Sequence, residues 1–202
     1  MPSPPKQLIL LLALGVLVGC CSRAFADQPP PLPNWTRVDA SISSQGVDLV
    51  LAGSPEPNEI RISLSTNERT YVIDSSWALE VGGDVCANPP GNPNEVICQA
   101  PAISSFAFNG GSGDDVVMFG RNVSAPVSLR GGPGNDTLVG GAAEDKLTGG
   151  PGEDTLVGRR DEDSLYGGPG EDRLIGGLGD DVCVGGPGED VGLSCEAERE
   201  IP

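Results

Sequence analysis

The sequence predicts an all-β protein, and more narrowly a parallel β-solenoid with an irregular β cap at its N-terminal end. Three observations predict it. First, residues Gly131 to Leu193 divide without remainder into seven nonapeptides: GGPGNDTLV, GGAAEDKLT, GGPGEDTLV, GRRDEDSLY, GGPGEDRLI, GGLGDDVCV and GGPGEDVGL. A short fixed period of this kind is the signature of stacked repeats rather than of a globular core. Second, the sixth place of every unit is an acid, Asp136, Asp145, Asp154, Asp163, Asp172, Asp181 and Asp190. Third, aromatic residues make up only 4% of the 202, which suits a thin, repetitive core.

Each unit has two halves with different physics. The first six residues, such as Gly131 to Asp136, are rich in glycine and often carry a proline, so this half turns sharply. The last three, such as Thr137-Leu138-Val139, read as a very short strand with alternating faces. The eighth place holds Leu138, Leu147, Leu156, Leu165 and Leu174 in succession. No single unit can bury its own leucine, so stability must come from stacking. Carboxylates stacked on one edge would repel one another without a compensating cation.

Glycine, acid and aliphatic held in register resemble the haemolysin-type calcium-binding (RTX) repeat family. The resemblance implies a right-handed parallel β-roll in which two nonapeptides make one coil. Units 18 residues apart then share an edge and clamp one Ca2+ between them. By that resemblance one edge carries Asp136, Asp154, Asp172 and Asp190, and the other Asp145, Asp163 and Asp181. Calcium takes six to eight oxygen ligands, so the turn carbonyls of Gly132, Gly134, Gly150, Gly152, Gly168, Gly170, Gly186 and Gly188 join the implied ligand set. The edges are unequal. The first keeps GGPG throughout, whereas the second has Ala143 and then Arg159-Arg160-Asp161 where glycines belong. The Arg159 unit is therefore expected to replace part of an ion's charge with a salt bridge.

The remaining elements follow in chain order. Residues 1–26 read as an export signal: Lys6 is basic, and Leu8 to Val18 is an apolar run too short for a membrane span. Two processing sites compete, cleavage after Ala24-Phe25-Ala26 and a lipobox-like Leu17-Val18-Gly19-Cys20 that would lipidate Cys20. Either route places the protein in the extracellular space or the bacterial envelope. Residues 27–34 form a proline-rich tether.

Residues 35–109 are strand-rich, with Val47 to Leu51, Ile60 to Leu64 and Tyr71 to Ile73 bounded by turn formers. Gly53 to Arg61 reads as a worn nonapeptide with Asn58 in the acid's place and Ile60 eighth. Pro101 to Asn109 likewise puts Phe108 eighth. This segment is expected to cap the solenoid, which would otherwise expose strand edges. A separate β-sandwich with its own ligand site is the alternative.

The regular roll spans 110–195. Gly110 to Met118 supplies Asp115 on the edge of Asp136, Phe119-Gly120-Arg121 is an insertion, and Asn122 to Arg130 is a worn unit with Leu129 eighth. Cys86 and Cys98 are 12 residues apart, as are Cys183 and Cys195, and even cysteines in an exported chain predict those two disulfides. Residues 196–202 read as a frayed acidic tail.

Composition narrows the function. A net charge of −17 argues against nucleic acid as a partner. The absence of histidine removes Ser-His-Asp chemistry and His-ligated zinc. Adjacent carboxylates such as Asp114-Asp115 and Asp180-Asp181 could be cast as a glycosidase pair, but nothing else resembles a nucleophile with its base. The expected protein is a non-catalytic, calcium-binding structural or interaction module. The ninth places, Val139, Val157, Ile175 and Leu193 on one sheet and Thr148, Tyr166 and Val184 on the other, are expected to face outward and could mediate self-association.

Overall fold

The computed structural model describes residues 36–199 apart from 44–45, 67–68, 77–78, 83–85 and 100–102. The expected signal segment, the tether, the Cys20 and Ala26 processing sites and residues 200–202 lie outside the described residues. Among the described residues all regular structure is strand.

Ten short strands make the roll. They are β9 (Val116–Phe119), β10 (Val127–Arg130), β11 (Thr137–Val139), β12 (Lys146–Thr148), β13 (Thr155–Arg160), β14 (Ser164–Tyr166), β15 (Arg173–Leu178), β16 (Val182–Val184), β17 (Val191–Leu193) and β18 (Ala197–Arg199). Odd-numbered strands pair in parallel in one sheet and even-numbered strands in the other. One coil therefore takes two nonapeptides, and the chain winds about five coils. In β11, β12, β14 and β16 the middle side chain, Leu138, Leu147, Leu165 or Cys183, points inward. That period of two builds one apolar column per sheet. In the first sheet Ile60, Val117, Leu138, Leu156 and Leu174 lie in register, and in the second Phe108, Leu129, Leu147, Leu165 and Cys183. All ten are buried.

The N-terminal strands extend the same two sheets. They are β1 (Thr36–Ser43), β2 (Gly46–Ala52), β3 (Glu59–Leu64), β4 (Thr70–Ser75), β5 (Leu79–Gly82), β6 (Cys86–Ala87), β7 (Glu95–Gln99) and β8 (Ile103–Asn109). β2 and β8 run parallel into the even sheet, and β3 pairs in parallel with β9. Beyond them the pairing turns antiparallel in β1–β2, β3–β4, β4–β7 and β6–β7. One hydrophobic cluster runs from Leu49 to Cys183. It is widest at this end, where Phe106 meets Tyr71 and Phe119 edge-on at 4.9 and 5.1 Å. Phe119, expected to belong to a mere insertion, extends β9 opposite Ile62 and is buried.

Two expectations need correction. Residues 197–199 are not a frayed tail but strand β18, which pairs with the otherwise open edge of β16. The ninth places do not form an exposed stripe. Val139 and Val184 are buried, and Val157 and Ile175 are half-buried, leaving Tyr166 and Leu193 exposed at 38% and 42%. Val139 and Val184 lie on strands flanked on both sides, whereas Leu193 ends its stack. Tyr166 is flanked too, but its longer side chain keeps an exposed ring, with Lys146 Nζ 5.8 Å from the centroid.

Both disulfides form, Cys86–Cys98 across β6–β7 and Cys183–Cys195 past the last coil. A Cys183→Ala, Cys195→Ala variant should lose about 2–3 kcal/mol, the chain-entropy value for a loop of this size. Guanidinium denaturation would measure it, and an unchanged midpoint would mean that the bond constrains nothing in the unfolded chain.

Candidate metal centre

The turns that join the strands are stacked backbone on backbone. Gly150 and Gly152, second and fourth in their unit, hold φ values of +133° and +145°. A Cβ on Gly150 would lie 2.2 Å from the Gly132 carbonyl oxygen, and one on Gly152 1.9 Å from that of Gly134. Only glycine satisfies both demands. The N–H groups of Gly150 and Gly152 donate to the carbonyls of Gly167 and Pro169 in the next coil, at 2.9 Å each. The carbonyls of Gly132, Gly134, Gly150, Gly152, Gly168 and Gly170 accept none of these turn hydrogen bonds. All eight expected carbonyl ligands, those of Gly186 and Gly188 included, are thus left without a backbone partner among these turn hydrogen bonds. Gly186 and Gly188 belong to the last turn of their edge.

The acids form two ladders. On the first edge Asp115, Asp136, Asp154 and Asp172 each donate a backbone N–H to Oδ1 of the next acid, ending on Asp190, over 2.7–2.9 Å. On the second, Asp145 donates to Asp163 and Asp163 to Asp181 at 2.8 and 2.9 Å. Asn58 ends the first ladder with its N–H and its amide on Asp115 Oδ1, at 2.7 and 2.8 Å. Val127 ends the second on Asp145 Oδ1 at 3.0 Å. The worn unit already put Asn58 in the acid's place. That Val127 occupies the same place in the unit from Asn122 to Arg130 was readable from the register but carried no chemical signal.

The second carboxylate oxygens are different. Oδ2 of Asp115, Asp136, Asp154, Asp163, Asp172 and Asp181 is buried with no hydrogen-bond partner. Each sits under the first glycine of its own turn: a Cβ on Gly149 would stand 2.1 Å from Asp154 Oδ2. Leaving a buried acceptor unsatisfied costs about 1–3 kcal/mol, and more for a charged one. Burial accordingly pushes these carboxyls up from 3.8. Asp136 and Asp145 reach about 6, and Asp154 and Asp163 about 7. The hydrogen bonds to Oδ1 oppose the rise, and neighbouring carboxylates add to it. Asp115, Asp172 and Asp181 are raised for the same first reason.

These observations fit a hard cation. Orphaned oxygens stand in a cradle that a Cβ would fill, beside backbone carbonyls with spare lone pairs. Among the described residues no three acids converge on one point, so backbone oxygen would have to supply much of any coordination shell.

Two members of the expected set stand apart. Asp190 is only half-buried, at the open end of its ladder. Asp145 has no orphan, because its Oδ2 accepts the Gly141 N–H at 2.6 Å. Its neighbour is Arg159, which takes the second glycine's place with φ +100° and donates from Nη1 to the carbonyls of Phe119 and Gly140, the latter at 2.8 Å. The expected salt bridge is therefore corrected. The guanidinium is held by carbonyls, and its charge lowers Asp145 only through space. A guanidinium offers five donors and no acceptor, so two carbonyls aimed at one point suit it directly.

A family model described as RTX calcium-binding nonapeptide repeat (4 copies) matches residues 130–165 and 157–191. Nothing among the curated proteins or the solved structures matches the chain.

Proposed function

We propose that this protein is an exported, non-catalytic module that folds on calcium, starting from the premise that residues 130–191 are RTX calcium-binding nonapeptide repeats in a β-roll. The observation that carries the reading is the set of six buried, unpartnered Oδ2 atoms stacked along the two edges. Calcium, when bound, supplies positive charge that offsets the repulsion and desolvation of those oxygens. The chain's own residues do the rest. The glycines bring neighbouring turns close, Oδ1 atoms lock successive coils, and the leucine columns close once the edges hold. Binding is then inseparable from folding. Asp115, Asp136, Asp154, Asp172, Asp163 and Asp181 are the proposed carboxylate ligands, with Asp190 at an open end.

Export rests on the leader-like residues 1–26 and agrees with two disulfides, which persist outside reducing compartments. Residues 36–109 serve as the cap, since they share both sheets and one core with the roll. Circular dichroism tests the central claim. At about pH 8, where the carboxyls are ionised, β signal should appear on adding calcium to chelated protein, and a fully folded chain in EDTA at that pH would rule the reading out.

Arg159 makes the second edge the weaker one, because its guanidinium already occupies the carbonyls beside Asp145. An Arg159→Gly variant relieves the left-handed strain and frees those carbonyls. Isothermal titration should then find more calcium bound per chain or tighter binding. Unchanged stoichiometry and affinity would remove Arg159 from this role.

A further inference from the structure

The second edge departs from the repeat in a way that calcium does not explain. β13 and β15 run six residues where their roll neighbours run three, so that Arg159 faces Gly177 and Arg160 faces Leu178 across the ladder. The extension opens a half-enclosed cavity of about 400 Å3. Its charged lining is Arg121, Arg159 and Arg160, its apolar lining is Val157 and Ile175 with Leu178 at the rim, and no carboxylate lines it. In a chain with 29 acids and 12 basic residues, that segregation is unexpected. None of the three arginines is ion-paired among the described residues. Arg159 is fixed by the Phe119 and Gly140 carbonyls, half-buried, and near enough to Arg121 to feel its charge after the larger effect of desolvation. Leu178 is 69% exposed at the rim.

We propose that this groove binds a small amphiphilic anion, with its acidic head among Arg121, Arg159 and Arg160 and its aliphatic arm on Val157, Ile175 and Leu178. Guanidinium groups pair with carboxylates through planar, two-point hydrogen bonds, and one of the three is already held in place. The volume is that of a small-molecule pocket. An extended anionic surface is disfavoured. The adjoining cavity is walled by Glu144, Asp161, Glu162 and Asp180, and the whole chain carries −17. The occupant is therefore a free molecule carrying a single head, of the alkyl carboxylate class.

The test uses the full chain in calcium, with octanoate as probe and acetate and octanol as half-ligands. Octanoate should shift the amide resonances of Gly141, Gly177 and Leu178, with affinity at least tenfold above that of acetate or octanol. An Arg121→Gln, Arg160→Gln variant should lose at least tenfold in octanoate affinity while calcium uptake stays as in the wild type. Calcium uptake is read separately, so a failure here is distinguishable from a failure of the calcium reading. If that variant misfolds, Leu178→Asp replaces it and should weaken octanoate to the same extent. Absence of octanoate shifts at these amides, octanoate binding no tighter than either half-ligand, or equal affinity in the variants would overturn the proposal.

Discussion

At about pH 8 and without calcium the roll should lose its β structure, and acidification to about pH 5 should restore it. The sign follows from burial. Burial pushes Asp154 and Asp163 up to about 7 and Asp136 and Asp145 up to about 6 in the folded chain, against 3.8 for a carboxyl in water. The folded state therefore holds these protons more tightly than the unfolded one. The stabilisation is fully present below about pH 4 and is lost as pH rises through 6 to 7. With calcium saturating, the dependence should flatten or reverse, because a ligand carboxylate must be deprotonated. Thermal melts at three pH values, each in EDTA and in calcium, decide it. A melting point in EDTA that does not fall between pH 5 and 8 would contradict the buried, unpartnered carboxylates.

A single methyl in the turn stack should be nearly as damaging. Gly152→Ala places a Cβ 1.9 Å from the Gly134 carbonyl oxygen, on a residue whose φ of +145° suits glycine alone. The atom in the way is backbone, so no side-chain rotation relieves the clash. A loss of about 3 kcal/mol or more is expected, from strain together with the separation of two coils. The same change at Gly91, where φ is +83° and nothing lies within 4 Å, should cost only the left-handed strain, about 1–2 kcal/mol. Urea melts of the two variants in calcium separate packing from conformation. Equal losses would mean that the turns are not in contact.

Much of the fold was legible because a nine-residue period leaves few choices. Acid, glycine and leucine recur in fixed places, and the two units per coil that the resemblance to RTX repeats implies sort Asp136, Asp154 and Asp172 from Asp145 and Asp163. The worn units at Gly53 and Asn122 could also be aligned, because Ile60 and Leu129 keep the inward place. These are local properties, set by which backbone angles glycine permits and which side chains water rejects.

Contacts between distant residues were not legible. Whether the ninth place is exposed depends on how many strands flank it and on how far its side chain reaches, which buries Val139 and leaves Leu193 and Tyr166 open. That residues 197–199 complete a sheet depends on an unpaired edge left by β16. The sequence shows that Arg159 interrupts the second edge. Only the tertiary structure decided that its guanidinium reaches the carbonyls of Phe119, 40 residues away, and of Gly140, because a long flexible side chain takes its partner from whatever backbone the coil brings within reach. The same holds for the acids: sequence by itself determined their spacing, and the stacking of the coils determined which oxygen is satisfied and which is left for a cation.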